Sequence, residues 1–372
     1  MSQTCGRPRL TDGRACPCPV LEAGAQCRND HRPDGWESPF AGPTPTLADL
    51  EAFAGAPVPA EWLREHPDDL GQAVQAAAGA LGVLPAFVEK DFWVTEAIRS
   101  LAQPLPEDRG YVILKGGTSL LKLGMTERMS EDIDALLVAT GGQARRDTTL
   151  KLLHTRVASD LGVDTPRQTA ASTGVKRFVE YPYPRRHHHA SLKPYVYLEL
   201  GTRGGPEPNT VYGFRSFVAH HLLEGQGARE DDFAELRPVW ISVLSPCRTA
   251  VEKLASLHDA GSRLDSDGPA KLASGVRHLY DVWAMLGDEL TRTDLAALHV
   301  AETSADVDRH SQGNDWTFTP RPDGGYAASP AFIEPALSIL RDAWPDLESL
   351  VYGPLPSVAD CVARIEEHTE LL

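Results

Sequence analysis

The sequence is short of positive charge. Its 372 residues carry 36 lysines and arginines against 52 aspartates and glutamates, a net charge of −16. That balance argues against a broad nucleic-acid surface, which needs clustered cations, and leaves room only for a local basic patch. No apolar run reaches the roughly 18 residues that a membrane-spanning helix needs. The first 40 residues are polar and hold no apolar core of a secretory signal, so the expectation is a cytoplasmic chain with no membrane partner. No internal repeat is visible. Cysteine is scarce after the first 30 residues, where only Cys247 and Cys361 remain of six.

What is present falls into three parts. Residues 1–45 are rich in Pro, Gly and Cys, show no helical or strand period, and end in a linker-like "HRPDGWESPFAGPTPT". Cys5, Cys16, Cys27 and His31 have the ligand types of a structural Cys₃His Zn²⁺ site, with Cys18 as a spare or a substitute for Cys16. A metal is the best route to order for a segment with so few apolar residues. The alternative is a tail with incidental cysteines.

Residues 46–245 read as a helical lead-in followed by an α/β core. Thr46 is an N-cap candidate, "PAEWLREH" has Pro at a helix start, and "PAFVEKDFWVTEAIRSLA" places Phe87, Phe92, Ile98 and Leu101 near helical spacing. Then "YVILK" and "DIDALLV" read as strands around a short helix, "TSLLKLG". A helix over 146–161 follows, with further strands in "RFVEYPY", "KPYVYLEL" and "RPVWISVL". Residues 246–372 read as a helical C-terminal domain.

The chemistry concentrates between Lys115 and Asp134. On a strand, residues two apart share a face, so Asp132 and Asp134 project together while Ile133 enters the core. Two adjacent carboxylates repel unless a cation sits between them, and Mg²⁺ suits one or two carboxylates plus substrate phosphates. Upstream, Gly116 and Gly117 offer bare backbone at a helix start, where N–H groups can hold phosphate oxygens. Lys115, Thr118, Ser119 and Ser130 could add donors. A third acid is expected at the Mg²⁺ site, and Glu199 in "YVYLEL", which shares a strand face with Tyr195 and Tyr197, could stand beside Asp132 and Asp134 as that further ligand. A lone D-x-D is usually a solvated patch and a lone Gly-Gly a turn; the order strand, GG, helix, strand, D-x-D is far more specific.

With these residues in place, "LKGGTSLLKL" followed by "MSEDIDALL" resembles the nucleotidyltransferase toxins of the AbiEii/AbiGii type, which include the MenT toxins of mycobacteria and form the toxin half of type IV toxin–antitoxin systems. "VEKDFWVTEAIRSL", "LSPCRTAVEKLASLH" and "GVRHLYDVWAML" are similar to further motifs of that family, in its order, over about 85 to 290. The resemblance implies an α/β (α+β) fold: a DNA-polymerase-β-like nucleotidyltransferase core with a mixed sheet, plus a helical second domain. It implies that Gly116, Gly117 and Thr118 hold phosphates with Lys115 beside them. Ser130, Asp132 and Asp134 would form the divalent-metal site, Lys253 would bind nucleotide, and Asp281 would be the late acidic residue of catalysis. Ser119 and His278 depart from the commoner Ala and Asp. Read without the family, Lys253 is a solvated helix residue, and Arg277 and Asp281, four apart, form an ion pair.

The expected reaction is transfer of a nucleoside monophosphate from an NTP, with Mg²⁺ or Mn²⁺, and loss of pyrophosphate. Residues 145–203 hold 11 Lys or Arg against 5 Asp or Glu and contain "PYPRRHHHASLKPY". On an acidic chain this is the place for an RNA backbone, and a tRNA 3′ end is the leading acceptor. A protein hydroxyl, a small molecule such as an aminoglycoside, or a catalytically idle nucleotide-sensing module are the alternatives. A separately encoded antitoxin is the expected partner.

Overall fold

Two helices, each opened by a proline whose missing N–H costs nothing at that position, lead into the sheet: α1 (Pro67–Leu81) and α2 (Pro85–Ala102). The computed structural model describes residues 61–372 apart from 107–108 and 313–318, together with a two-residue pairing of Gln3–Thr4 with Pro19–Val20. Thr46, Cys5, Cys16, Cys18, Cys27 and His31 lie outside the described residues. Where a helix is expected over "PAEWLREH", its described residues from Glu61 on form a 3₁₀ turn, Leu63–Glu65. Among the described residues no single helix is long and apolar enough to cross a membrane.

The core elements then follow in chain order: β1 (Tyr111–Lys115), α3 (Gly116–Lys122), β2 (Asp132–Val138), α4 (Gln143–Asp160), β3 (Arg167–Ser172), β4 (Lys176–Pro182), β5 (Tyr195–Gly201), β6 (Asn209–Phe214), α5 (Phe217–Gly225) and β7 (Val239–Leu244). They form one mixed seven-stranded sheet in the order β3-β4-β5-β2-β1-β7-β6. The carboxylate-bearing β2 lies at its centre, antiparallel to β1 and parallel to β5. Its inward residues, Ile133, Ala135 and Leu137, are buried in a core that also holds α1, α2 and α4.

The two strands absent from the sequence reading, β3 and β6, are the two edges of this sheet. "RQTAAS" is almost wholly exposed and "NTVYGF" only half-buried, so neither shows the apolar run or alternation that marks a covered strand.

From Pro246 the chain is helical: α6 (Pro246–Gly261), α7 (Gly268–Ser274), α8 (Val276–Gly287), α9 (Glu289–Ala297), α10 (Val300–Gln312), α11 (Ala336–Ala343), α12 (Pro345–Glu348) and α13 (Val358–Glu367). A helix expected to run through "AKLASGVRHLYDVWAML" is split at Gly275, whose N–H donates to the Lys271 and Leu272 carbonyls at 2.8 and 2.9 Å and ends α7. These helices bury a second apolar cluster, from Cys247 to Leu372. Leu120 of α3 packs with Ala250 of α6 and Met285 of α8, joining the two cores behind the glycine turn.

α2 is buried on nearly every side, charged residues included. Each of its ions is answered. Asp91 accepts from Lys122 Nζ and the Phe217 N–H, and Glu96 from Arg99 at 3.1 Å. Glu89 accepts from the Arg186 and His187 N–H groups at 2.9 and 2.8 Å. Lys90 donates to the Tyr195 and Lys193 carbonyls and lies 3.6 Å from Glu131. A buried charge left unpaired costs several kcal/mol, so these pairs dictate where the 183–195 segment runs.

Candidate active site

β2 presents Asp132 and Asp134 on its half-exposed face, and parallel pairing places Glu199 of β5 directly beside Asp134 and Tyr197 beside Asp132. Burial first, then the charges of Asp134 and Asp132, push the Glu199 carboxyl up to about 7. Three acids thus share one patch.

β1 delivers Lys115 beside Asp134 by antiparallel register. Its ammonium lies 3.6 Å from Glu252, and that carboxylate, with Asp134 behind it, raises the Lys115 pKa against the cost of burial. The chain turns at once into α3. Gly116 has φ +73, and a side chain on it would sit 2.4 Å from Asp134 Oδ2. A side chain on Gly117 would meet Arg128 Nη2 at 2.5 Å and Ser130 Oγ at 2.9 Å. Both glycines are therefore required by the close approach of the acidic strand and the loop before it.

The expected hydroxyl donors turn inward. Thr118 is fully buried; its hydroxyl donates to the Asp132 carbonyl (2.5 Å) and lies 3.0 Å from Ser130 Oγ. Ser119 donates to the Gly116 carbonyl at 2.8 Å. Both brace the turn and the acidic strand from behind.

The late motifs come from the helical part. Lys253 of α6 and Asp281 of α8 are buried, with Lys253 Nζ 2.9 Å from Asp281 Oδ2 and 3.3 Å from His278 Nδ1. Burial drives the Lys253 ammonium down, and Asp281 opposes it. Burial and the Lys253 charge hold the His278 imidazole well below its ordinary range. Asp281 does not pair with Arg277, four residues earlier. Its oxygens receive Arg128 Nε and Nη2, each at 2.6 Å, and despite full burial these cations hold its carboxyl down at about 2. Arg277 reaches back to Asp132 Oδ2 at 3.9 Å instead.

Lys115, Gly116, Asp134, Thr249, Lys253 and His278 line one cleft of about 200 Å³ between the sheet and the helical part. A larger cavity of about 270 Å³, at the far end of β2 around Val138, Arg146 and Thr202, is lined by no carboxylate.

On the other side of the acids stands Lys193, whose Nζ is 2.7 Å from Asp132 Oδ1 and 5.0 Å from the Tyr197 ring. Tyr197 continues a row of half-buried rings, 6.2 Å from Phe178 and 6.3 Å from Tyr195, and Lys176 lies 4.9 Å over Phe178. Much of the positive charge between 145 and 203 is already paired within the chain: Arg177 on Asp147 in a nearly buried pair, and Arg167 on Glu180 and Arg186 on Asp68 at the surface.

An all-carboxylate set with excess negative charge suits a hard divalent cation. Among the described residues, however, no three His, Cys, Asp or Glu side chains converge into a metal cage. Glu199 stands in register with Asp134, while Asp132 is engaged by Lys193 and Arg277. The brought-together set is therefore Lys115, Gly116, Gly117, Asp132, Asp134, Glu199, Lys253 and Asp281. Arg128, Lys90 and Glu131 were missed. The only local sign of Arg128 is a lone cation among acids, in "TERMSED".

A family model described as "Nucleotidyl transferase AbiEii toxin, Type IV TA system" matches residues 99–361. No curated protein gives a significant match. Among solved structures, MenT4, a nucleotidyltransferase toxin from Mycobacterium tuberculosis H37Rv, is similar at 16% identity and a TM-score of 0.50, covering 81% of this chain and 88% of its own. That likeness concerns the fold alone. JHP933 from Helicobacter pylori is 16% identical over 61% of this chain and 90% of its own, with a TM-score of 0.28.

Proposed function

The chain belongs to the AbiEii nucleotidyl transferase toxin family of type IV toxin–antitoxin systems, and we propose that it transfers a nucleoside monophosphate from an NTP to the 3′ end of a tRNA, blocking translation until a separate antitoxin intervenes. The observation that carries the transfer chemistry is the register that sets Asp132, Asp134 and Glu199 on one face beside the Gly116 turn, across a cleft from Lys253. Mg²⁺ or Mn²⁺ would be held by Asp132 and Asp134, and when bound it supplies Lewis-acid stabilisation at the α-phosphate and the leaving pyrophosphate.

The chain's own groups do the rest. Lys253 and Lys115 offset the triphosphate charge from the two sides of the cleft. The side-chain-free turn at Gly116 and Gly117 lets phosphate oxygens approach the backbone. Thr118, Ser119 and Ser130 hold that turn against β2. A carboxylate of the acidic patch accepts the proton of the attacking hydroxyl. Asp281, with its oxygens occupied, orients Lys253.

A nucleic-acid acceptor is supported by the aromatic row Phe178, Tyr197 and Tyr195, flanked by Lys176 and Lys193 and ending at Asp132. Rings offer a stacking surface for unpaired bases, and the lysines offset backbone charge. The test is purified protein with total tRNA and each labelled NTP in Mg²⁺. Label on RNA is expected. Label on a protein or an aminoglycoside would move the acceptor to those classes, and NTP binding without transfer to anything would leave a nucleotide-sensing module.

A further inference from the structure

Arg128 takes no part in the chemistry proposed above, yet it is buried beside the site and every one of its guanidinium nitrogens has a partner. Its guanidinium is 3% exposed. Nε and Nη2 form a two-pronged bond to Asp281, and Nη1 donates to the Met129 carbonyl at 3.1 Å. The same Nη2 packs so closely on Gly117 that no side chain fits there. The backbone on either side is clasped to the end of the helical part: the Met129 N–H donates to Leu350, and the Tyr352 N–H to Glu127, at 2.8 and 2.9 Å. Arg128 is thus fixed at both ends, against the glycine turn of the sheet and on α8.

Asp281 has one further partner, Lys253 Nζ. The buried triad Arg128–Asp281–Lys253 has two cations and one anion. Such a group is costly to bury, and replacing its charges with apolar side chains often stabilises a protein. Its surplus positive charge stands directly behind the glycine turn, at the wall of the cleft that receives the triphosphate.

We propose that Arg128 is a positioning residue for Lys253: by locking both oxygens of Asp281, it holds the Lys253 ammonium at the cleft wall and adds the surplus charge that an incoming triphosphate neutralises. This rests on the reading that Lys253 meets the nucleotide. A guanidinium fork is needed because a lysine at 128 offers a point charge and cannot hold both oxygens in one plane.

The test uses full-length protein and the variants R128K, D281N and K253A, each first shown to unfold cooperatively. Lys253 is read without nucleotide, by mass-spectrometric rates of acylation with a small amine-reactive ester. Acylation of Lys253 should be about tenfold faster in D281N than in the natural protein, because an ammonium freed from its carboxylate loses its proton more readily, and faster in R128K too, because an Asp281 no longer locked by the fork lets the Lys253 side chain leave the buried wall and meet the reagent. Equal rates overturn the proposal. With NTP, R128K should raise KM about tenfold with a smaller change in kcat, and the R128K/K253A double variant should be no worse than K253A, since both act through one group. Additive losses overturn it as well, showing that Arg128 acts by another route. Natural protein that binds no NTP would instead defeat the functional reading, while the acylation comparison still decides for or against the link from Arg128 to Lys253.

Discussion

Lys193 Nζ stands 2.7 Å from Asp132 Oδ1, with Arg277 Nη1 3.9 Å from the other oxygen. The protein's own cations therefore occupy the carboxylate that a divalent ion would use. Lys193 is brought there by the pairing of Glu89, Lys90 and Glu131 with its loop.

Removing that competitor should tighten metal binding. Lys193→Gln is expected to lower the Mn²⁺ concentration for half-saturation by roughly fivefold, about 1 kcal/mol for a charge near a solvated surface. Electron paramagnetic resonance of free Mn²⁺ measures it. Unchanged or weaker binding would mean that Lys193 does not compete.

Asp132→Asn and Asp134→Asn should each abolish nucleotide transfer and leave cooperative unfolding in place, since both side chains lie on the half-exposed face of β2. Transfer retained by either purified variant sinks the assignment of these acids.

Glu199 sets a pH dependence of stability. Its folded value, about 7, lies above the ordinary 4.5, so the folded state binds the proton more tightly. Its contribution is fully present below pH 4.5 and is lost as pH rises through 7. In chelator, Glu199→Gln should flatten the fall of Tm over that window. Asp134→Asn should flatten it in part, because Asp134 is the largest charge acting on Glu199. Identical Tm profiles for natural protein and Glu199→Gln would refute this.

Lys253→Ala should weaken NTP binding by on the order of 2–4 kcal/mol through loss of a partly buried charge contact. Calorimetry with a non-hydrolysable NTP reads it directly, and unchanged affinity would return Lys253 to a structural role.

The zinc expectation for the amino-terminal cysteines and His31 leads to one further test. Deleting residues 1–45 should release about one zinc per chain, as Cys5, Cys16, Cys27 and His31 require, yet leave NTP binding intact. Metal analysis of the full-length protein checks it, and a zinc-free native protein refutes it.

The central part of the fold was legible because its strands carry a clear apolar mark: the "VIL" of "YVILK" and the "ALL" of "DIDALLV" are buried runs, and "YVYLEL" alternates buried with half-buried residues. The pairing of Glu199 with the aspartates followed from two-residue alternation plus one assumption about neighbouring strands. The edge strands were illegible because exposure leaves no apolar mark. Arg128 was illegible for a different reason: its carboxylate lies 153 residues away, and nothing local distinguishes a buried fork from a surface cation. The Arg277–Asp281 spacing even pointed to the wrong partner, since helical proximity says nothing of which side chain a distant loop will claim.

Residue 99, where the family match begins, falls inside α2. A fragment started there would lack Phe92, Trp93 and Val94 from the core and would strand the Lys122 ammonium without Asp91. It would also lose Glu89 and Lys90, which hold the loop carrying Lys193 beside the acids. The stretch matched by the family model is thus shorter than the stretch that closes the core, and an expression boundary belongs upstream of Pro67, ahead of both lead-in helices.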